Sequence, residues 1–263
     1  MQKRFLDQRV LITGASRGIG RALALAFAEE GADLILVARS QALLQEVENE
    51  ISRLGRKAVS IAVDITHPEQ LDQLIERVRK EENKLDILVN NAGKGLYALV
   101  QNTPLAEMRD IFELNFFSLA SLTQKLLPLL KKSSHPQIIN ISSIAGHIAV
   151  PKMSAYCASK FALNAFSENL RIEHAQEGLH VLSVYPGIID TDFSSQAKMI
   201  DARPDSYITK GRGMPAGKLA QKILKASHKR KRDEYSTLEN RMGIIFHTLF
   251  PKMMDNILKK MVK

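Results

Sequence analysis

Tyr156 and Lys160 lie four residues apart in the stretch SAYCASKFAL, residues 154–163. On a helix that spacing puts both side chains on one face, about a turn apart. A phenol titrates near pH 10, too high for a general acid or base at neutral pH, and a cation one turn away favours the phenolate and draws that value down. The pair alone decides little. With 5 Tyr and 21 Lys in 263 residues, Tyr-x-x-x-Lys should occur about 0.4 times by chance, and an exposed i,i+4 pair is ordinarily a solvated face.

A second candidate lies near the start. TGASRGIG, residues 13–20, separates the short apolar run RVLIT from an amphipathic segment over 18–31. Glycines at 14, 18 and 20 let the backbone turn sharply and approach a pyrophosphate, which the positive end of the following helix then binds. In strand–turn–helix context this predicts dinucleotide binding. An NAD site usually carries an acid at the end of the second strand; here Ala38 is followed by Arg39, and Arg17 sits in the glycine turn. Two cations and no acid favour a 2′-phosphate, hence NADP(H). The competing reading makes Arg39 a solvated residue paired with Glu46.

The elements that must position these residues alternate along the chain. Strands are expected over 9–13, 33–38, 57–64, 85–93, 137–143 and 180–187, and helices over 18–31, 40–55, 67–83, 103–132 and 154–178. Thr103 is expected to cap the fourth helix, with Pro104 in its first position and Pro128 near its end. Each crossover is long enough for parallel pairing, so the fold class is α/β, a doubly wound parallel sheet of the Rossmann type in one domain with a C-terminal helical extension. The expected division is a binding and catalytic core over 1–192, a substrate loop with closing helix and strand over 193–240, and a basic amphipathic segment over 241–263. Residues 188–214 look irregular, as a functional loop would.

Composition narrows the class. The single cysteine, Cys157, allows no internal disulfide framework and fits a reducing, cytoplasmic compartment. The N-terminus lacks the apolar stretch of a signal peptide, and no segment reaches about 18 uncharged apolar residues. Residues 1–197 hold 21 Lys+Arg and 22 Asp+Glu, net −1, whereas residues 198–263 hold 16 and 6, net +10. A nearly neutral body argues against nucleic acid as partner and marks the tail as a separate question.

In these motifs the chain resembles the short-chain dehydrogenase/reductase family over about residues 7–192. TGASRGIG matches the family's glycine turn, VDI (63–65) its adenine contact at Asp64 and Ile65, NNAG (90–93) the turn closing the adenine side, and ELNF the helix asparagine, Asn115. NISSIAG carries Ser143, YCASK carries Tyr156 and Lys160, and PGIIDT (186–191) matches the nicotinamide-side segment. The resemblance implies an enzyme: an NADPH-dependent carbonyl reductase, or alcohol dehydrogenase in reverse. Tyr156 would be the general acid/base, Lys160 would lower its pKa and bind the nicotinamide ribose, and Ser143 would polarise the substrate carbonyl. Asn115 would hold a water in a proton relay. Cofactor contacts are expected from Gly14, Ser16, Arg17, Gly18, Ile19, Gly20, Arg39, Asp64, Ile65, Asn91, Ala92, Gly93, Tyr156, Lys160, Pro186, Gly187, Ile189 and Thr191, and no metal is expected. The resemblance further implies a homodimer or homotetramer built on the helices over 103–132 and 154–178.

The substrate lining is expected from Leu96, Ile148, Val150, Met153, Phe193, Met199 and Tyr207, which points to a lipophilic carbonyl or alcohol. His147 lies close enough in sequence to be considered, and Asp190 is expected to cap a short helix. In the tail, apolar residues from 242 to 261 recur at helical spacing, interrupted by Pro251, with lysines opposite. Three occupants suit such a face: the protein's own pocket or a subunit interface, an anionic membrane surface, or an acidic partner such as an acyl carrier protein. The rival readings of the whole chain are a non-catalytic NADP(H)-binding sensor or scaffold and a membrane-surface reductase of lipid metabolism.

Overall fold

The structure is a computed structural model and describes residues 3–201 and 213–259. The apolar runs become strands: β1 (Arg9–Thr13), β2 (Asp33–Ala38), β3 (Ala58–Ala62), β4 (Ile87–Asn90), the short β5 (Leu96–Tyr97), β6 (Gln137–Ile141) and β7 (His180–Tyr185). The amphipathic segments between them become α1 (Gly18–Glu29), α2 (Gln41–Arg53), α3 (Pro68–Glu81), α4 (Leu105–Phe112), α5 (Ser118–Leu130) and α6 (Ser154–Glu173). Beyond β7 come β8 (Ile189–Asp190), α7 (Phe193–Gln196), β9 (Lys198–Met199), β10 (Met214–Pro215), α8 (Ala216–His228), β11 (Asp233–Tyr235), α9 (Leu238–Leu249) and α10 (Pro251–Leu258).

Seven strands form one parallel sheet in the order β11-β7-β6-β4-β1-β2-β3. The order reverses between β1 and β4, which leaves a crevice at their carboxyl ends. The central strands are buried along their length, as β6 is at every residue, because helices cover both faces. Leu23 and Phe27 of α1, Leu44 and Val47 of α2 and Ile223 of α8 fill one face. Leu74 of α3, Leu122 and Leu126 of α5 and Leu170 of α6 fill the other.

Several local expectations are corrected. The helix expected over 103–132 is two α-helices joined by a single π-helical turn, Glu113–Phe117, in which the Ser118 amide bonds back to the Glu113 carbonyl. Thr103 does not cap it: its hydroxyl donates to the Leu99 carbonyl at 2.8 Å, and Pro104 takes the cap position one residue before the helix. Asp190 is drawn into β8, which pairs with β10, so the cap position of α7 falls to Asp192. The region 188–214 is thus partly ordered by short parallel pairings, β8 with β10 and β5 with β9. The tail expected from 241 begins earlier, at Leu238, because the Thr237 hydroxyl accepts from the Asn240 amide at 3.2 Å and starts α9 there.

Candidate active site

A cleft of about 790 Å³ runs along the carboxyl ends of the strands, from the glycine turn after β1 to the loops after β6 and β7. Of the expected catalytic and cofactor-binding residues, all line it except Gly20 and Asn115, which stand behind the lining residues Gly14 and Gly93.

The glycine turn explains Gly20. Gly14 takes a positive φ of 65°, and the chain doubles back so tightly that a Cβ on Gly20 would sit 2.1 Å from the Gly14 carbonyl oxygen. The Asn91 side chain clamps the turn, donating to the carbonyls of Thr13 at 2.9 Å and Gly14 at 3.2 Å. Thr13 was not foreseen as a site residue, yet its hydroxyl accepts from the amides of Asn91 and Ala92, both at 3.0 Å, and donates to the Val89 carbonyl at 3.3 Å. Its signal was its place as the first letter of the glycine motif. Arg17, at the N-cap of α1, makes no side-chain cap bond, so the first-turn amides face the cleft without an internal acceptor. A diphosphate fits this cradle of close-approach glycines and free amides.

At the adenosine end, the Asp64 carboxylate accepts from the Thr66 amide at 3.0 Å and hydroxyl at 2.7 Å. Burial opposes its ionisation, but these bonds and the Arg39 charge outweigh it and hold the carboxyl below its ordinary value. Arg39 does not pair with Glu46. Its Nη1 lies 3.9 Å from Asp64 Oδ2, and the side chain is 80% exposed at the rim.

At the other end, β6, α6 and the π-helical turn bring four residues together. Of the two serines after β6, Ser142 turns its hydroxyl to Asn164 Oδ1 at 2.5 Å. Ser143 shares a hydrogen bond with the Tyr156 phenol. Its oxygen also accepts from the Ala145 amide at 3.1 Å, which holds it at the start of a 3₁₀ turn. Lys160 Nζ lies 5.9 Å from the centre of the Tyr156 ring and donates to the Ile141 carbonyl at 2.9 Å. Asn115 Oδ1 accepts from the Lys94 amide at 2.9 Å, while Nδ2 donates to the Lys94 carbonyl and to Ser159 Oγ, both at 3.1 Å. Both amide protons are therefore committed to fastening the Gly93–Lys94 turn against α6. Below lies a buried polar chain in which Asn90 donates to Thr123 at 2.9 Å and to Asn140 at 2.8 Å, and Asn140 to Ser167 at 2.7 Å.

The electrostatics correct one expectation. Burial raises the Tyr156 phenol above its ordinary value, and the Ser143 hydrogen bond offsets this only in part. Burial also pushes the Lys160 ammonium down, to about 8. At this separation, desolvation outweighs the attraction that spacing alone would suggest.

On the substrate side, Val150, Met153 and Phe193 line the cleft as expected, and Tyr97, Ile144 and Ile188 join them. Leu96, Ile148 and Met199 do not line it, and Tyr207 lies outside the described residues. Leu96 and Tyr97 are strand neighbours and face opposite ways: Leu96 packs with Ile111 and Ala155. His147 also points away, with its ring edge-on to Tyr185 at 4.5 Å. Of the charged residues at this rim, Lys94 and Asp110 pair with each other, and Asp192 stands at the start of α7.

These features define a class, an oxidoreductase built on a Rossmann-type sheet. The chain matches the family model for short chain dehydrogenase over residues 8–200 and belongs to the short-chain dehydrogenase/reductase family. It is 34% identical over 232 residues to a dehydrogenase/reductase SDR family protein 7-like of Drosophila melanogaster, covering 85% of this chain and 71% of that protein. It is 34% identical over 217 residues to the ketoacyl reductase HetN of a Nostoc species, covering 82% and 74%. Its fold superposes on a short-chain dehydrogenase from Streptomyces avermitilis with a TM-score of 0.83 at 28% identity, covering 97% of this chain and 98% of that one.

Proposed function

We propose that this chain is an NADP(H)-dependent oxidoreductase acting on a carbonyl or secondary alcohol of a lipophilic substrate, with Tyr156 as general acid/base. The observation that carries this reading is the convergence of Ser143, Tyr156 and Lys160 at one end of a cleft whose other end is the glycine turn and Arg39. The glycine turn and the α1 amides would hold the diphosphate, Arg39 and Arg17 the 2′-phosphate, Asp64 and Ile65 the adenine, and Pro186, Gly187, Ile189 and Thr191 the nicotinamide end. The bound nicotinamide supplies or accepts the hydride.

The chain's own residues manage the oxygen and its proton. In reduction, the Tyr156 hydroxyl gives its proton to the substrate oxygen as negative charge develops there, and Ser143 donates to the same oxygen. A phenol raised by burial stays protonated until that charge appears, which suits it as an acid. Lys160, near 8, is mostly charged at neutral pH and stabilises the phenolate left behind. Asn115 keeps the Gly93–Lys94 turn in place beside Lys160, since a Cβ on Gly93 would lie 3.2 Å from Asn115 Oδ1 and 3.6 Å from Lys160 Nζ. The apolar lining around Phe193, whose ring is 5.7 Å from that of Tyr156, favours a lipophilic carbonyl, and a ketoacyl group belongs to that class. A dimer or tetramer would form on α4–α6, where Leu105, Phe117 and Phe161 are exposed.

The test is consumption of NADPH in the presence of medium-chain and long-chain ketones, read beside NADPH binding. Turnover that rises with acyl length supports the reading. Tight NADPH binding with no turnover of any carbonyl or alcohol would favour a sensor or scaffold instead.

A further inference from the structure

Asn164 stands on the same face of α6 as Tyr156 and Lys160. The three residues follow at intervals of four, which confines them to an arc of about 80° on a helix. Asn164 is only 8% exposed, and a buried amide needs partners for both of its ends. Its Nδ2 donates to the Gly146 carbonyl at 2.8 Å, and its Oδ1 accepts from the Ser142 hydroxyl at 2.5 Å. A carbonyl can only accept, so these partners fix which way the amide points. The other acceptor near the Ser142 hydroxyl, the Lys160 carbonyl, is farther away at 3.5 Å.

The two partners bracket Ser143. Ser142 precedes it, and Gly146 ends the 3₁₀ turn that Ser143 starts. The backbone of this stretch is tied to the end of β7: the Ser142 amide donates to the Val184 carbonyl at 2.9 Å, and the Ile144 amide to the Pro186 carbonyl at 3.0 Å. Asn164 supplies a tie on the opposite side, to the helix that carries Tyr156. Gly146 is what lets the tie form. A Cβ there would lie 2.6 Å from Asn164 Nδ2 and 3.0 Å from both Ser142 Oγ and the Lys160 carbonyl oxygen. The geometry matters because a hydroxyl aimed at developing charge tolerates little drift: a misplacement of about 1 Å can cost about 10²-fold in rate.

We propose that Asn164 is a positioning residue for Ser143. By bridging Ser142 and Gly146 it holds the serine turn in register with Tyr156, so that both hydroxyls meet one substrate oxygen. The inference rests on the oxidoreductase reading of the site. It gives successive turns of one helix face three duties: the proton at Tyr156, the charge at Lys160 and the alignment of Ser143 at Asn164.

The test is a double-mutant cycle between Asn164→Ala and Ser143→Ala, read as kcat and KM for the best lipophilic ketone beside NADPH affinity. In the parent, Asn164→Ala should lower kcat at least about tenfold while ketone KM and NADPH affinity stay within about threefold. In a Ser143→Ala chain the same change should cost less than about twofold, since the serine it aligns has lost its hydroxyl. An amide that only supports the fold would cost the same in both backgrounds. Ser142→Ala removes one leg of the bridge and keeps the Asn164 bond to Gly146, so it should lower kcat about threefold with the same non-additivity. It decides the matter if circular dichroism shows that Asn164→Ala does not fold. Equal losses in the two backgrounds, or a parent-like kcat in the folded Asn164→Ala chain, would overturn this inference alone, because the parent's turnover would still support the function. A parent that turns over no carbonyl or alcohol would overturn the function reading and this inference with it.

Discussion

Replacing Arg39 with Ala should shift cofactor choice by an amount the geometry allows to be worked out. The side chain is 80% exposed and its nearest charged partner is Asp64, at 3.9 Å. In so open a place the dielectric is close to that of water, where one pair of unit charges at about 4 Å is worth about 1 kcal/mol. A 2′-phosphate offers up to two charges and charge-assisted hydrogen bonds of about 1.5–3 kcal/mol. Arg39 must first give up Asp64, an exposed pair worth about 0–1 kcal/mol. The balance is about 2 kcal/mol, or about a 30-fold loss of NADPH affinity in Arg39→Ala. NADH has no phosphate there, so its affinity should move less than about twofold. Fluorescence titration with both cofactors at low and high salt measures this, and the parent's preference should shrink with salt. A parent that prefers NADH, or a variant with an unchanged NADPH to NADH ratio, would refute the reasoning.

Other consequences follow from particular contacts. Gly20→Ala puts a methyl 2.1 Å from the Gly14 carbonyl, so thermal unfolding should show a loss of about 1–3 kcal/mol, and NADPH binding should weaken with it. Asn240→Ala removes a 2.6 Å bond to Ser236 Oγ, which itself accepts from the Gly187 amide at 2.9 Å; KM for NADPH should rise several-fold with little change in fold stability. His180 is held down to about 4, first by burial and then by the charges of Arg230 and Arg171. Between pH 6.5 and 4 the unfolded chain takes up a proton that the folded one refuses, so stability present above 6.5 is lost as pH falls. The full shift corresponds to about 3 kcal/mol, reduced to about 1–2 kcal/mol by solvent screening of a half-buried ring. Denaturant melts of His180→Gln should show a flatter pH dependence than the parent over that window.

The spacing of apolar runs made the doubly wound sheet legible, because strands buried on both faces and amphipathic crossovers leave periodic traces. The cleft residues were legible for another reason: the glycine turn and the VDI, NNAG, NISSIAG and PGIIDT motifs sit at the carboxyl ends of β1, β3, β4, β6 and β7, where the topology brings them together, while Asn115 and the Tyr156–Lys160 pair reach the same end from the π-helical turn and α6. What stayed hidden depends on three dimensions. A π-helical turn adds one residue to a helix without breaking its apolar pattern, so Glu113–Phe117 passed as α-helix, and with it the way Asn115 grips Lys94. Sequence spacing set Lys160 beside Tyr156, but only burial reveals that desolvation dominates both groups. A strand's two-residue alternation decided between Leu96 and Tyr97, and the short β5 gave too few residues to phase it. Arg39 found Asp64 rather than Glu46 because parallel pairing of β2 with β3 brings the ends of those strands together.

The central claim is that the Tyr156 hydroxyl handles the substrate's proton. Tyr156→Phe keeps the ring that packs with Phe193 and Met153 and removes only the hydroxyl. Rates of NADPH oxidation with the best lipophilic ketone should therefore fall by at least about 10²–10⁴-fold, while NADPH affinity falls by no more than about tenfold, the worth of one hydroxyl hydrogen bond. A variant that keeps more than about a tenth of the parent rate, with the cofactor bound normally, would contradict the account.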